Sequence, residues 1–129
     1  MAGGWTKAAV LAVFAVAASC ASVAWGDGKA ATRVTIDSAF VNPGETLFAG
    51  DIFSSRRVCK NDRRVLIVRV RPGADQTIGA TRSYKGSAQP GYFWTYSEPG
   101  LAPAGRYYAK VKPTVSCQGD RSAAIPLDR

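Results

Sequence analysis

The chain has 129 residues and a mass of 13.6 kDa, the length of one ordinary domain, and its 47% hydrophobic and 20% charged residues are typical of a globular protein rather than a disordered tail. It has no histidine and only three cysteines, which excludes histidine-dependent catalytic triads, HExxH metal sites and a four-cysteine zinc site within one chain. Its 17 Lys and Arg residues against nine Asp and Glu residues give a formal net charge of +8, which favours anionic partners.

The amino-terminal residues 1–26 have the pattern of a signal peptide and predict a signal helix that is removed from the mature protein. One cation, Lys7, precedes an apolar run from Ala8 to Ala18, and small residues follow that run. These small residues permit cleavage after Ala24 or after Gly26, and we favour Gly26.

Two other interpretations of this segment stay open. The first is a retained membrane anchor, although the alanine-rich stretch from Ala8 to Trp25 is shorter than the roughly 20 strongly apolar residues of a typical span. The second is lipid attachment at Cys20, which small residues precede. All three interpretations send the rest of the chain across a membrane, with residues 27–31 as a short linker and 32–129 as the folded domain.

From Thr32 onward, apolar residues recur at every second position in short segments that glycine and proline interrupt, which predicts strands rather than helices. The first strand should place Val34, Ile36 and Phe40 on one face, and Asn42-Pro43-Gly44 should form the turn that follows it. Seven strands are predicted, at residues 32–40, 47–54, 63–71, 77–84, 91–97, 106–112 and 122–127.

Three of these strands carry informative side chains. Four consecutive apolar residues at 65–68 predict a central strand that is covered on both faces. Tyr92, Trp94 and Tyr96 share one face of the fifth strand and are expected in the core, whereas Tyr108 of the sixth strand is expected to be exposed. Seven short strands at this spacing predict an all-β, two-sheet antiparallel sandwich of the Ig-like type.

Removal of the predicted signal leaves two cysteines, Cys59 and Cys117, and a lone pair in an exported chain predicts one disulfide. Cys59 lies between the second and third strands, and Cys117 lies between the sixth and seventh. The bridge would join residues 58 positions apart, for which chain entropy predicts a stabilisation of roughly 4 kcal/mol. We expect a structural bridge, because no CxxC spacing indicates redox activity.

A set of residues spread over most of residues 46–125 forms a pattern that occurs in a known group of proteins. In order, they are Phe48, Gly50, Ile52, Cys59, Arg64, Val65, Ile67, Ile78, Gly79, Gly91, Gly105, Tyr107, Ala109, Val111 and Cys117. In these residues the chain resembles small secreted β-sandwich modules of the transthyretin-like or carboxypeptidase-regulatory-like type, as found in exported actinobacterial proteins. The resemblance implies a seven-stranded, Ig-like or transthyretin-like fold that serves as a non-catalytic scaffold, and it brings no functional residues with it.

A cluster of five cations brackets the first cysteine of the predicted bridge. A loop with this charge can bind an anionic partner such as an acidic wall polymer, anionic lipid or extracellular nucleic acid. The alternative is a solvated loop whose charge only keeps the protein soluble. The five candidate anion-binding residues are Arg56, Arg57, Lys60, Arg63 and Arg64.

No sequence pattern indicates catalysis, a metal or a cofactor. The chain lacks a phosphate-binding loop and an EF-hand pattern, and its nine acidic residues occur singly, so that only tertiary proximity would create a carboxylate pair. We therefore expect a secreted or cell-surface structural or interaction module that is not an enzyme. The alternative is a binder of an anionic cell-surface polymer, and membrane contact is expected only if the signal segment is retained or Cys20 is lipidated.

Overall fold

The computed structural model describes residues 28–128, so the predicted signal peptide lies outside the described residues. Within residues 28–128, no helix has both the length and the apolar character that a bilayer crossing requires. The described chain forms ten strands and one short helix. They are β1 (Thr32–Val34), β2 (Ser38–Asn42), β3 (Glu45–Ser54), α1 (Arg57–Lys60), β4 (Arg64–Arg69), β5 (Gln76–Arg82), β6 (Tyr84–Lys85), β7 (Tyr92–Pro99), β8 (Gly105–Val111), β9 (Asp120–Arg121) and β10 (Ile125–Leu127).

The strands form two antiparallel sheets, which confirms the predicted all-β, two-sheet class. The first sheet has the order β1-β3-β7-β6, with β2 also paired to β3, and the second has the order β10-β8-β4-β5, with β9 also paired to β8. Ten strands arise from seven predicted segments because some segments divide. At Ser83, for example, the chain leaves the second sheet after β5 and enters the first as β6.

The first predicted strand divides at residues 35–37, where β1 and β2 both pair with β3 but in registers that differ by one residue. A one-residue change of register exchanges the two faces of a strand. Val34 and Ile36 are therefore buried, but after the irregularity Ala39 packs against the core and Phe40 is 49% exposed. The prediction that Phe40 shares the face of Val34 and Ile36 is wrong for this reason.

The core lies between the sheets and, apart from Phe40, contains the apolar residues that alternation predicted. Val65 and Ile67 face this core, whereas Leu66 and Val68 form a second cluster with Tyr108, so the central strand is covered on both faces as predicted. The largest fully buried side chains are those of Trp94, Tyr107, Phe48, Ile52 and Ile67.

Trp94 needs a glycine beside it. Its indole Nε1 donates a hydrogen bond to the carbonyl oxygen of Thr35 at 2.9 Å, in front of Gly50 on the neighbouring strand. A Cβ atom at position 50 would lie 2.0 Å from that oxygen and 2.7 Å from the indole nitrogen. Gly50 therefore permits the close approach that satisfies the buried indole.

Tyr108 corrects a second expectation, because it is only 4% exposed. The guanidinium of Arg121 lies 4.0 Å from its ring centroid, and its hydroxyl donates a hydrogen bond to Asp75 Oδ2 at 2.8 Å. Asp75 precedes β5 and Arg121 belongs to β9, so segments remote in sequence cover this face of the second sheet. The prediction of an exposed Tyr108 is therefore wrong.

Strand direction gathers the loops at two ends of the sandwich. Ser54 lies opposite Thr32, and Arg64 lies opposite Arg82, which fixes the polarity of each sheet. We define the disulfide end as residues 28–32, 54–64, 82–92 and 112–119, and the opposite end as residues 42–46, 69–76, 98–106 and 125–128.

Candidate anion-binding end of the sandwich

Cys59 of α1 and Cys117 of the segment after β8 form the predicted disulfide, with their Cα atoms 5.5 Å apart and both side chains buried. The chain around Ala30 is hydrogen-bonded to the same loop, since Ala30 N–H donates to Ser116 O at 2.9 Å and Gln118 N–H donates to Ala30 O at 2.8 Å. The bridge is compatible with an extracellular location. It also fixes the loop that carries the basic cluster.

Arg63 lies inside this end, not on its surface, and only 5% of it is exposed. Its Nη1 donates to Thr32 Oγ1 at 3.2 Å and to Cys59 O at 2.9 Å, and its Nη2 donates to Lys112 O at 2.8 Å and to Gln118 O at 3.1 Å. Burial lowers the pKa of the guanidinium, although an arginine stays protonated at neutral pH.

The four bonds of Arg63 join the start of β1, α1, the end of β8 and the loop of the second cysteine. Its two Nη atoms are therefore occupied by hydrogen bonds within the protein, although the side chain also lines the groove beside Val58. The sequence grouped Arg63 with the surface cations since its neighbours are charged, and the structure corrects that grouping. Its role is to hold together the segments that carry the other cations.

The other four candidate residues lie at the surface of the disulfide end. Arg56, Arg57 and Arg64 are exposed, and Lys60 is half-buried, with its Nζ 5.1 Å from the ring centroid of Tyr92. A cation over an aromatic face is attracted by the ring quadrupole, which restrains Lys60 beside Tyr92 at the start of β7.

The structure adds cations that sequence proximity does not reveal. They are Lys29, Arg82, Lys85 and Lys112, which are far apart in the chain but lie at strand ends of the same polarity. Among residues 28–128, the disulfide end therefore carries nine cations and one acidic residue, Asp62. The opposite end carries three cations and four acidic residues.

Asp62 does not neutralise this end. Its carboxylate lies 3.9 Å from Arg82 Nη1, but the two side chains are 75% and 62% exposed. An exposed ion pair of this kind contributes little to stability and leaves most of the positive charge available. The backbone at Asp62 is more constrained, because its φ of 52° is left-handed and its N–H donates to Ser83 O at 3.1 Å.

A groove of about 400 Å³ lies between α1 and the segment that follows β8. Apolar surface is provided by Val58, Leu66 and Pro113, and positive charge by Arg64, Arg82 and Lys112. The cations come from β4, β5 and the end of β8, so only the packing of the second sheet brings them to one groove.

The structure also contains a carboxyl pair that the sequence did not reveal. Asp37 and Asp51 line a second groove, of about 430 Å³, on the outer face of the first sheet beside the rings of Tyr84 and Phe93. Burial, followed by the hydrogen bond and the repulsion from Asp37, raises the pKa of Asp51, and Arg33 partly offsets this. Residues 35 and 37 are hydrogen-bonded to β3, and this pairing brings Asp37 close to Asp51. The sequence could have revealed the pair only through an exact prediction of the register between these two segments.

No family model matches the chain, and searches of curated proteins and of solved structures found no significant match. No group of three or more potential metal ligands is present among residues 28–128.

Proposed function

We propose that this protein is an exported, non-catalytic interaction module that binds anionic polymers at or beyond the cell surface through its disulfide end. The observation that carries the proposal is the charge asymmetry between the two ends of the sandwich. Charge that serves only solubility has no reason to gather at one end. Apart from the buried Arg63, the disulfide end has eight cations against one acidic residue, on loops that the disulfide and Arg63 restrain. Such an excess is typical of a surface that attracts polyanions.

We further propose an Ig-like strand order. If β1 and β2 are taken as one edge, and β9 and β10 as another, the two sheets follow the order of an Ig sandwich. At the start of β8, the hydroxyl of Tyr107 donates to the carbonyl of Pro103 four residues upstream, as in the tyrosine corner of such folds. The resemblance to transthyretin-like modules stays a proposal alongside this one.

In an Ig-like order, the two loops joined by the disulfide correspond to those between the second and third strands and between the sixth and seventh. Loops at that end often carry binding sites in Ig-like proteins, which is support by fold analogy alone. The charges on these loops in this chain make the analogy specific.

The non-catalytic part of the proposal is supported by the composition of the chain. The chain has no histidine, the residue that most often acts as a general base near neutral pH. Its sequence also contains no phosphate-binding loop.

Retention of the oxidised protein on heparin and polyphosphate resins tests the proposed function. We expect elution only above physiological salt, because several cations contact the polymer and release counterions. The variant R56Q/R57Q should elute at markedly lower salt than the control variant R71Q/R106Q, which loses the same charge at the opposite end.

Two outcomes would count against the proposal. One is elution of the wild-type protein at low salt. The other is equal elution of the two double variants, which would mean that retention follows net charge and not the disulfide end.

A further inference from the structure

We propose that the groove beside Val58 binds an anionic amphiphile, a molecule in which one phosphate or carboxylate head carries a short apolar chain. The groove is part of the disulfide end, so this inference rests on the proposed function. It assigns to the groove a ligand with an apolar chain, which a site for simple polyanions would not require.

The apolar side of the groove begins with Val58, which is 63% exposed although it stands in a basic segment. Its neighbour Cys59 is drawn inward by the disulfide, and successive residues of a helix point in different directions. Val58 is therefore held outward, where it faces the groove together with Leu66 and Pro113. Apolar surface held in this way loses contact with water only if a ligand covers it.

The positive side of the groove has a feature that favours an anion. Arg64 of β4 and Arg82 of β5 lie directly opposite each other in the strand pair, and like charges in this position are destabilising. Arg82 is also oriented, because its Nη1 donates to the carbonyl of Asp62 at 2.9 Å. An anionic head between Arg64 and Arg82, within reach of Lys112, would relieve this repulsion.

The two sides together define the ligand. An inorganic anion would leave the exposed side chains of Val58 and Pro113 uncovered, and a neutral apolar molecule would leave the repulsion between Arg64 and Arg82 unrelieved. A volume of about 400 Å³ is within the range of small-molecule sites. Asp62 also lines the groove, but its exposed pair with Arg82 weakens the positive charge without cancelling it.

Calorimetric titration of the oxidised protein with three probes tests the inference. The probes are monomeric decyl phosphate, inorganic phosphate, which has only the head, and decyl maltoside, which has the chain on a neutral head. We expect decyl phosphate to bind at least about tenfold more tightly than either of the others, since both sides of the groove contribute.

Variants locate the site. R82Q and V58S should each weaken decyl phosphate binding by about tenfold. K85Q and V115S are matched controls at the same end: neither residue lines the groove, and Val115 is 94% exposed. Both should bind like the wild type, and circular dichroism with an intact-mass measurement should show that all four variants are folded and oxidised.

The outcomes separate the inference from the proposed function. If decyl phosphate binds no more tightly than inorganic phosphate, or V58S binds like the wild type, the groove assignment is overturned, while retention on heparin still supports the proposed function. Binding to phosphatidylglycerol vesicles without binding of decyl phosphate would also overturn it, because the end would then contact a surface rather than a single chain. Failure of heparin to retain the wild-type protein above physiological salt would instead overturn the proposed function.

Discussion

The two ends of the sandwich are built in different ways. At the disulfide end, long segments are held by a covalent bridge and by the buried guanidinium of Arg63, and their outer side chains are mostly cationic. At the opposite end, the described turns are held by individual hydrogen bonds, without a disulfide. Ala102 N–H donates to Thr46 Oγ1 at 2.9 Å, and Gly100 N–H donates to Gly44 O at 2.9 Å.

The difference shows how a small domain can display concentrated charge. Mutual repulsion of surface cations opposes an ordered loop, and hydrogen bonds between exposed groups give little to offset it. A disulfide and a buried cation are anchors inside the domain, and they keep the loops ordered while most of the other cations of this end stay at the surface. The opposite end, with nearly balanced charge, needs no such anchors.

The largest expected effect is that of the bridge. Replacement of both Cys59 and Cys117 by alanine should lower the free energy of unfolding by about 4 kcal/mol, because the unfolded chain regains the entropy of a long loop. Urea unfolding measures this loss. A loss below about 1 kcal/mol, or two free thiols in the unreduced protein by mass spectrometry, would contradict the covalent anchor.

The buried cation should come next. Arg63→Met removes four hydrogen bonds and leaves three backbone carbonyls without this donor, which should cost about 3 kcal/mol in urea unfolding. The adjacent and exposed Arg64→Met should change stability by less than about 0.5 kcal/mol. Similar effects of the two substitutions would mean that Arg63 is not an internal anchor.

At the opposite end a single neutral hydrogen bond should matter less. Tyr107→Phe removes the hydroxyl that donates to Pro103 O but keeps the buried ring, so we expect a loss of about 1 kcal/mol in the same assay. Tyr84→Phe, at an exposed tyrosine, is the control and should be neutral. A Tyr107→Phe effect as large as that of Arg63→Met would erase the contrast between the ends.

The smallest expected effect is a dependence of stability on pH. It arises from Asp51, which lies in β3 between the two ends of the sandwich. Because the folded state raises the pKa of Asp51 above its ordinary value of 3.8, it binds more protons than the unfolded state just above that pH. Stability should therefore fall as pH rises through the interval between the ordinary and the raised pKa. Asp37→Asn removes the repelling charge, whereas burial, the largest cause of the raised pKa of Asp51, and the opposing effect of Arg33 remain.

We expect Asp37→Asn to stabilise the protein at pH 7 by less than about 1 kcal/mol, since both carboxyls are near solvent. The difference should shrink as the pH falls toward 3.8, because Asp51 takes up a proton in the folded state and the repulsion between the two carboxylates is lost. Urea midpoints measured from pH 3 to pH 8 check this, with Asp128→Asn as the control. An equal effect at both extremes of pH would refute the coupling.

Much of the fold could be predicted from the sequence because alternation is a local property. The segment from Phe48 to Ile52, the four apolar residues at 65–68 and the alternation through Trp94 all face the way that a period of two requires. The prediction failed for Phe40, where one bulged residue exchanged the faces, and for Tyr108, which other segments cover. The bulge near Phe40 and the segments that cover Tyr108 both depend on residues far away in the chain. A short window of sequence does not include those residues.

The candidate site was less predictable. Five closely spaced cations predicted a basic loop, but burial removes Arg63 from its surface. Strand polarity brings Arg82 and Lys112 to the same end from other parts of the chain. The Asp37 and Asp51 pair likewise depends on register.

The sequence by itself therefore determined the all-β class, the cysteine pair and the presence of a basic loop, because spacing and composition act within a few residues. Only the tertiary structure decided which cations point outward, which one is buried and which meet in a groove, because side chains far apart in the chain meet only when the two sheets pack.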